Sequence, residues 1–136
     1  MSTNEDDPRF PSGEWEGFYL YGFGMVPRHR MSCVLTFSRG QVSGSGLDDV
    51  GRFTWSGTYD VSAGRCRLHK RYATHVVVYD GYVEAQGMWG IWELSRSRGG
   101  FRLWPQGSKA QQEEEEQVEL SLPTGEYEPG QQDPLP

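Results

Sequence analysis

The chain has few cysteines, few histidines, no helical periodicity and no long apolar run, and each shortage removes a class of reading. Two cysteines, Cys33 and Cys66, in 136 residues are too few for a disulfide framework and lack metal-ligand spacing. Two buried thiols in a reducing compartment is the simpler reading, with the cytoplasm as the expected location. No stretch of 18 apolar residues occurs, so no membrane contact through a spanning helix is expected. The first residues carry neither a basic region nor an apolar one, which argues against a secretory signal. Apolar residues never recur at i, i+3, i+4 and i+7 over three turns, so no helix is expected.

Charge is unevenly spread. The net −6 divides into −3 over residues 1–14, +4 over 15–105 and −7 over 106–136. A mildly basic body therefore sits between acidic ends, and the whole-chain charge misstates what the body can attract. Residues 1–12, polar and holding Pro8 and Pro11, read as a disordered leader from which Phe10 is free to dock. Residues 13–107 read as the single folded domain, and 108–136 as a disordered, acidic, proline-bearing tail. In that tail, Glu113–Glu116 could pair with a basic face, and the alternation from Val118 to Leu122 could engage a protein partner.

What the body does contain is period-two alternation, aromatic residues and 18 glycines. Met31, Cys33, Leu35 and Phe37 alternate with Ser32, Val34, Thr36 and Ser38. The same pattern predicts eight strands, at 15–23, 31–38, 41–46, 52–60, 65–72, 75–84, 88–95 and 100–105. Turn chemistry separates them, as at Arg39-Gly40, Asp48 to Gly51 and Ser97 to Gly100. Short loops imply antiparallel neighbours in chain order, and one apolar face per strand implies a one-sided core. The expected fold is all-β, an eight-stranded antiparallel up-and-down barrel, which removes exposed edges. A β-sandwich is the alternative.

Gly13-Glu14-Trp15-Glu16-Gly17 reads Gly-x-Trp-x-Gly. An ordered set follows: Gly44-x-Gly46-x-Asp48-x-x-Gly51-x-Phe53, Gly57-x-Tyr59, Lys70-x-Tyr72, Val78-Tyr79-x-Gly81, Gly90-x-Trp92, and Gly100-Phe101-x-Leu103-Trp104-Pro105. Over about 15–105 the chain resembles the calycin-like barrels (lipocalins, avidins and their relatives), and a related barrel in some F-box receptor proteins. The resemblance implies a barrel closed at its base by Trp15, and ligand binding at most. The nitrobindin branch of that group ligates haem through a late histidine. Here His29, His69 and His75 all precede residue 76. No cofactor is expected.

Lys70 is the sharpest chemical signal. It shares the apolar phase of its strand with Cys66, Leu68 and Tyr72, so its amine is expected inward, with Tyr72, Tyr79, Tyr19 or Asp48 as partner. The opposite phase would bury His69 and Arg71 instead, a costlier arrangement. A bulge, or a lysine reaching water at the mouth, is the plainer alternative. Trp55, Trp92, Tyr19, Tyr72 and Tyr79 share inward phases and complete a candidate ligand-binding set with Lys70. Glycines 17, 57, 81 and 90 on that phase could open a cavity or only let strands bend.

Arg65, Arg67 and Arg71 share the outer face with His69, a candidate anion patch or a solvated face facing the chain's own glutamates. Asp48, Asp49, Asp60 and Asp80 fit no calcium-loop spacing, so no metal is expected. His29, between two arginines, reads as exposed. No catalytic residues are assigned, and nucleic acid is not an expected partner.

The expected function is non-catalytic binding of a small amphipathic or anionic ligand, or a peptide end, in the barrel mouth. An isomerase or cyclase using Lys70 and tyrosines is one rival, and a filled-barrel interaction adaptor is another. On the sequence alone, Lys70→Met is expected to leave the fold intact or slightly more stable and to abolish anion binding.

Overall fold

The computed structural model describes residues 7–84 and 87–108. Eight strands follow in order: β1 (Gly13–Tyr19), β2 (His29–Ser38), β3 (Gln41–Asp48), β4 (Arg52–Asp60), β5 (Arg65–Arg71), β6 (Val76–Glu84), β7 (Gly87–Leu94) and β8 (Ser97–Pro105). Each pairs antiparallel with the next, and β1 pairs with β8 from Trp15↔Pro105 to Tyr19↔Phe101. The sheet is therefore a closed up-and-down barrel rather than a sandwich. Closure gives every strand two neighbours and leaves no edge to aggregate.

Alternation drives this. In β2, Met31, Cys33, Leu35 and Phe37 are buried while Ser32, Val34 and Thr36 are exposed. A one-residue slip would reverse every such pair, so the register is strongly specified. The Arg39-Gly40 hairpin has both residues at positive φ, 54° and 80°, the geometry whose twist matches the flanking strands.

The largest departures from the expected strand limits are at β8 and β1. β8 begins at Ser97, before the glycines that read as a turn, because the reversal falls on Ser95-Arg96 with Ser95 at φ 54°. Gly99 serves a different purpose: a Cβ there would lie 1.9 Å from the Leu20 carbonyl oxygen. β1 ends at Tyr19, short of the expected 23, and the chain beyond crosses over β8 through Leu20 N–H to Gly100 O and Gly22 N–H to Arg98 O.

The inward glycines bend strands instead of opening space. A Cβ on Gly17, Gly44, Gly57 or Gly90 would fall 1.9–2.0 Å from a carbonyl oxygen of the adjacent strand. Aromatic and aliphatic side chains fill most of the lumen.

The base is sealed from outside the sheet. Phe10 is 1% exposed and packs 4.7 Å from the Tyr59 ring and 5.4 Å from Phe37. Pro11 O accepts from Trp15 Nε1 at 2.9 Å, and Arg9 joins Asp7 to Val61 O. Residues 7–12 are thus part of the barrel's base. The expected acidic tail, with Glu113–Glu116 and Val118–Leu122, lies outside the described residues.

Candidate functional site

On β5, Cys66, Leu68 and Lys70 point inward and Arg65, Arg67 and Arg71 outward. Lys70 is fully buried. On β3 the inward phase runs through Val42, Gly44 and Gly46 to Asp48, opposite Met31 of β2. Asp48 opens the turn into β4. Its Oδ1 accepts the amides of Val50 at 2.8 Å and Gly51 at 3.2 Å, the self-bonding that favours Asp in turns. This holds Oδ2 inward, where it accepts Lys70 Nζ and the Tyr72 hydroxyl, both at 2.5 Å. Lys70 Nζ also donates to the Tyr79 hydroxyl oxygen at 3.2 Å and meets Met31 Sδ at 3.5 Å.

Five rings surround that ammonium, from Phe53 at 4.5 Å and Tyr19 at 4.7 Å to Trp55 at 5.7 Å. Their faces are attractive to a desolvated cation. Burial holds Lys70 below the ordinary lysine range, against the opposing pull of the Asp48 carboxylate.

A second polar cluster sits beside the first. Asp49 accepts the Tyr19 hydroxyl at 2.5 Å and faces His29 Nδ1 at 2.6 Å. His29 is stacked on Tyr19 and edge-on to Tyr21, so the expectation of an exposed histidine does not hold: its side chain is 11% exposed. Burial raises the Asp49 pKa, but Tyr19 and His29 outweigh it and keep the carboxyl below its usual value.

Above these clusters the mouth encloses a cavity of about 20 Å³. Tyr19, Tyr21, Tyr72, Tyr79, Trp92 and His75 form its aromatic wall, and Val50, Val77 and Leu94 its aliphatic rim. His75 stacks on Tyr72 at 4.7 Å, and Trp92 Nε1 donates to Leu20 O at 2.8 Å. Such a volume holds one water-sized group. A larger groove of about 710 Å³ crosses the outer wall near Val34, Ser45 and Thr54, with Phe53 and Tyr72 also in its lining.

Burial first, and the adjoining carboxylates second, raise the Tyr19 and Tyr72 hydroxyls far above the phenolic range. Tyr79 is raised in the same way. All three are fixed hydrogen-bonding groups at neutral pH, unsuited to proton transfer. Burial also raises Cys33 to about 11 and Cys66 to about 12, so both are protonated, inert thiols.

A pH dependence follows. Unfolded tyrosines ionise near ~10, whereas these three stay protonated in the fold. Their contribution is complete below that pH. Above it, stability falls as pH rises, because the unfolded tyrosines release protons that the folded ones keep. In an alkaline titration, phenolate absorbance from these three is expected only together with loss of the β-sheet circular dichroism signal. Smooth ionisation of all seven tyrosines in the folded state would contradict the assignment.

Of the residues expected at a site, Tyr19, Tyr72, Tyr79 and Trp92 line the mouth together. Lys70 and Trp55 lie behind them, outside the cavity wall. Arg65, Arg67 and Arg71 stay on the outer face. Arg67 is 3.6 Å from Asp80, and Arg65 lies over the Tyr82 ring at 4.7 Å. Tyr21 and His75 on the wall, Asp49 beside Tyr19 and Met31 beside Lys70 lie outside the expected set. Asp48, one of the four partners expected for Lys70, is its counterion, whereas Asp49 lies just past the end of β3, where strand alternation carries no signal. Among the described residues no group of three metal-binding side chains comes together. No protein family, curated protein or solved structure matches the chain.

Proposed function

We propose that the protein is a non-catalytic binding module that takes the polar end of a small amphipathic molecule, or a peptide end, in the barrel mouth. One observation carries this reading: a fully buried Lys70–Asp48 pair, bonded to Tyr72 and Tyr79, lies just beneath a ring-lined opening. An apolar replacement of similar volume generally serves stability as well as a buried ion pair does. A filled barrel therefore gains nothing in stability from placing charge there. Mouths of small barrels are also a common ligand position. The closed eight-stranded barrel is compatible with a calycin relationship, which we retain as part of this proposal, with the cytoplasm as its setting. The strongly raised tyrosine hydroxyls favour binding over acid–base catalysis.

Native mass spectrometry of the full chain purified from its source, compared with the denatured chain, tests the proposal. A small-molecule adduct that is lost on denaturation and displaces Tyr72 and Trp92 resonances when added back supports it. A ligand-free protein whose mouth resonances respond to no member of an amphiphile library contradicts it.

A filled-barrel adaptor is the second reading. The observation favouring it is an exposed, paired Tyr82 and Trp89 on the outer wall, with ring centroids 5.1 Å apart. Replacing both with serine would abolish partner binding under that reading and leave mouth ligands unaffected.

A further inference from the structure

We infer that the head group accepted by this mouth is a primary ammonium, not the carboxylate that an inward lysine first suggests; the inference rests on the mouth-binding proposal above. Size is the first argument. About 20 Å³ admits one water-sized group. An ammonium nitrogen is that size, whereas a carboxylate brings three heavy atoms.

Hydrogen-bond capacity is the second. Lys70 has three protons, and all are directed at groups of the protein: Asp48, Tyr79 and Met31. Tyr72 donates to Asp48, Tyr19 donates to Asp49, and Trp92 donates to Leu20 O. Those three wall protons are thus committed, whereas Tyr79 accepts from Lys70 and keeps its own hydroxyl proton. The hydroxyl oxygens of Tyr19 and Tyr72 retain lone pairs, so a guest meets acceptors. An ionised carboxylate is acceptor-only and is left with few donors, the Tyr79 hydroxyl among them. An ammonium is donor-only and complements them.

Charge and ring faces are the third. Asp48 offsets Lys70, and Asp49, which His29 Nδ1 faces at 2.6 Å, adds a further carboxylate beside Tyr19 with 39% of its side chain exposed. Five tyrosine and tryptophan rings wall the cavity beside His75, and the faces of such rings are negative. The same lumen already surrounds one ammonium, that of Lys70, with five rings. Partly buried Tyr21, Val50 and Leu94 lie at the opening, where an alkyl chain attached to the head would leave the barrel.

The test titrates the full chain at pH 7 and fixed ionic strength with hexylammonium chloride, sodium hexanoate and 1-hexanol, following tyrosine and tryptophan ring resonances. Hexylammonium is expected to saturate at the mouth at least tenfold tighter than hexanol, with hexanoate weakest. Tyr21→Leu, which removes one ring face from a half-buried rim position, is expected to weaken hexylammonium several-fold more than hexanol. Hexanoate or hexanol binding at the mouth as tightly as hexylammonium, or equal losses in Tyr21→Leu, overturns the ammonium assignment while leaving the mouth-binding proposal intact. If none of the three probes moves the mouth resonances, the mouth-binding proposal fails with it.

Discussion

Lys70→Met is expected to lower stability by about 3–5 kcal/mol, the usual cost of stranding one partner of a buried ion pair. The variant leaves the Asp48 carboxylate fully buried, with only the Tyr72 hydroxyl and the Val50 and Gly51 amides as partners. This reverses the sequence-based expectation of a neutral or stabilising change, which assumed a lysine without a committed counterion. Adding Asp48→Asn is expected to restore most of the loss. Asparagine keeps an acceptor for the two turn amides and removes the stranded charge. Urea unfolding of the single and double variants measures both effects, and the midpoint should shift without a change in slope. A loss below about 1 kcal/mol for Lys70→Met, or no recovery in the double variant, would show that the pair is not held as described.

The second large effect is at the opposite end. Phe10→Ala is expected to cost about 3–5 kcal/mol, as for other buried phenylalanines. Phe10 is 1% exposed and touches the Tyr59 and Phe37 rings at the base. Truncation to residues 13–107 should cost at least as much, since it also removes the Pro11 carbonyl that accepts Trp15 Nε1. A chain beginning at residue 7 should keep wild-type stability. Thermal and urea unfolding of the three proteins decide the matter, and equal stability of the chains beginning at 7 and at 13 would refute a structural role for the plug.

Much of the fold was legible because its cause is local. A period of two along Met31–Phe37 or Cys66–Lys70 records which side of a strand each residue takes, whatever its neighbours are. Lys70 could be placed inward on that basis alone, since the alternative buried His69 and Arg71. The Arg39-Gly40 reversal was equally local, because its glycine suits a positive φ.

The site was less legible, because its partners come together across strands. Asp48 reaches Lys70 only because β3, β4 and β5 pair in one register and the Asp48 turn holds Oδ2 inward. Asp49, Tyr19 and His29 come from three separate segments. The inward glycines were ambiguous for a similar reason. A missing side chain opens a cavity where neighbouring strands stay apart, and permits bending where a carbonyl comes within about 2 Å of the would-be Cβ, as at Gly17 and Gly57.

The sequence by itself determined the strand phases and the all-β class, and pointed to an inward lysine and a closed barrel, because alternation and buried-charge cost act residue by residue. Only the tertiary structure decided that Phe10 plugs the base, that Asp48 neutralises Lys70 and that the lumen narrows to about 20 Å³. Those outcomes depend on how side-chain volumes and charges from all eight strands meet in one enclosed space, and no single strand carries that information.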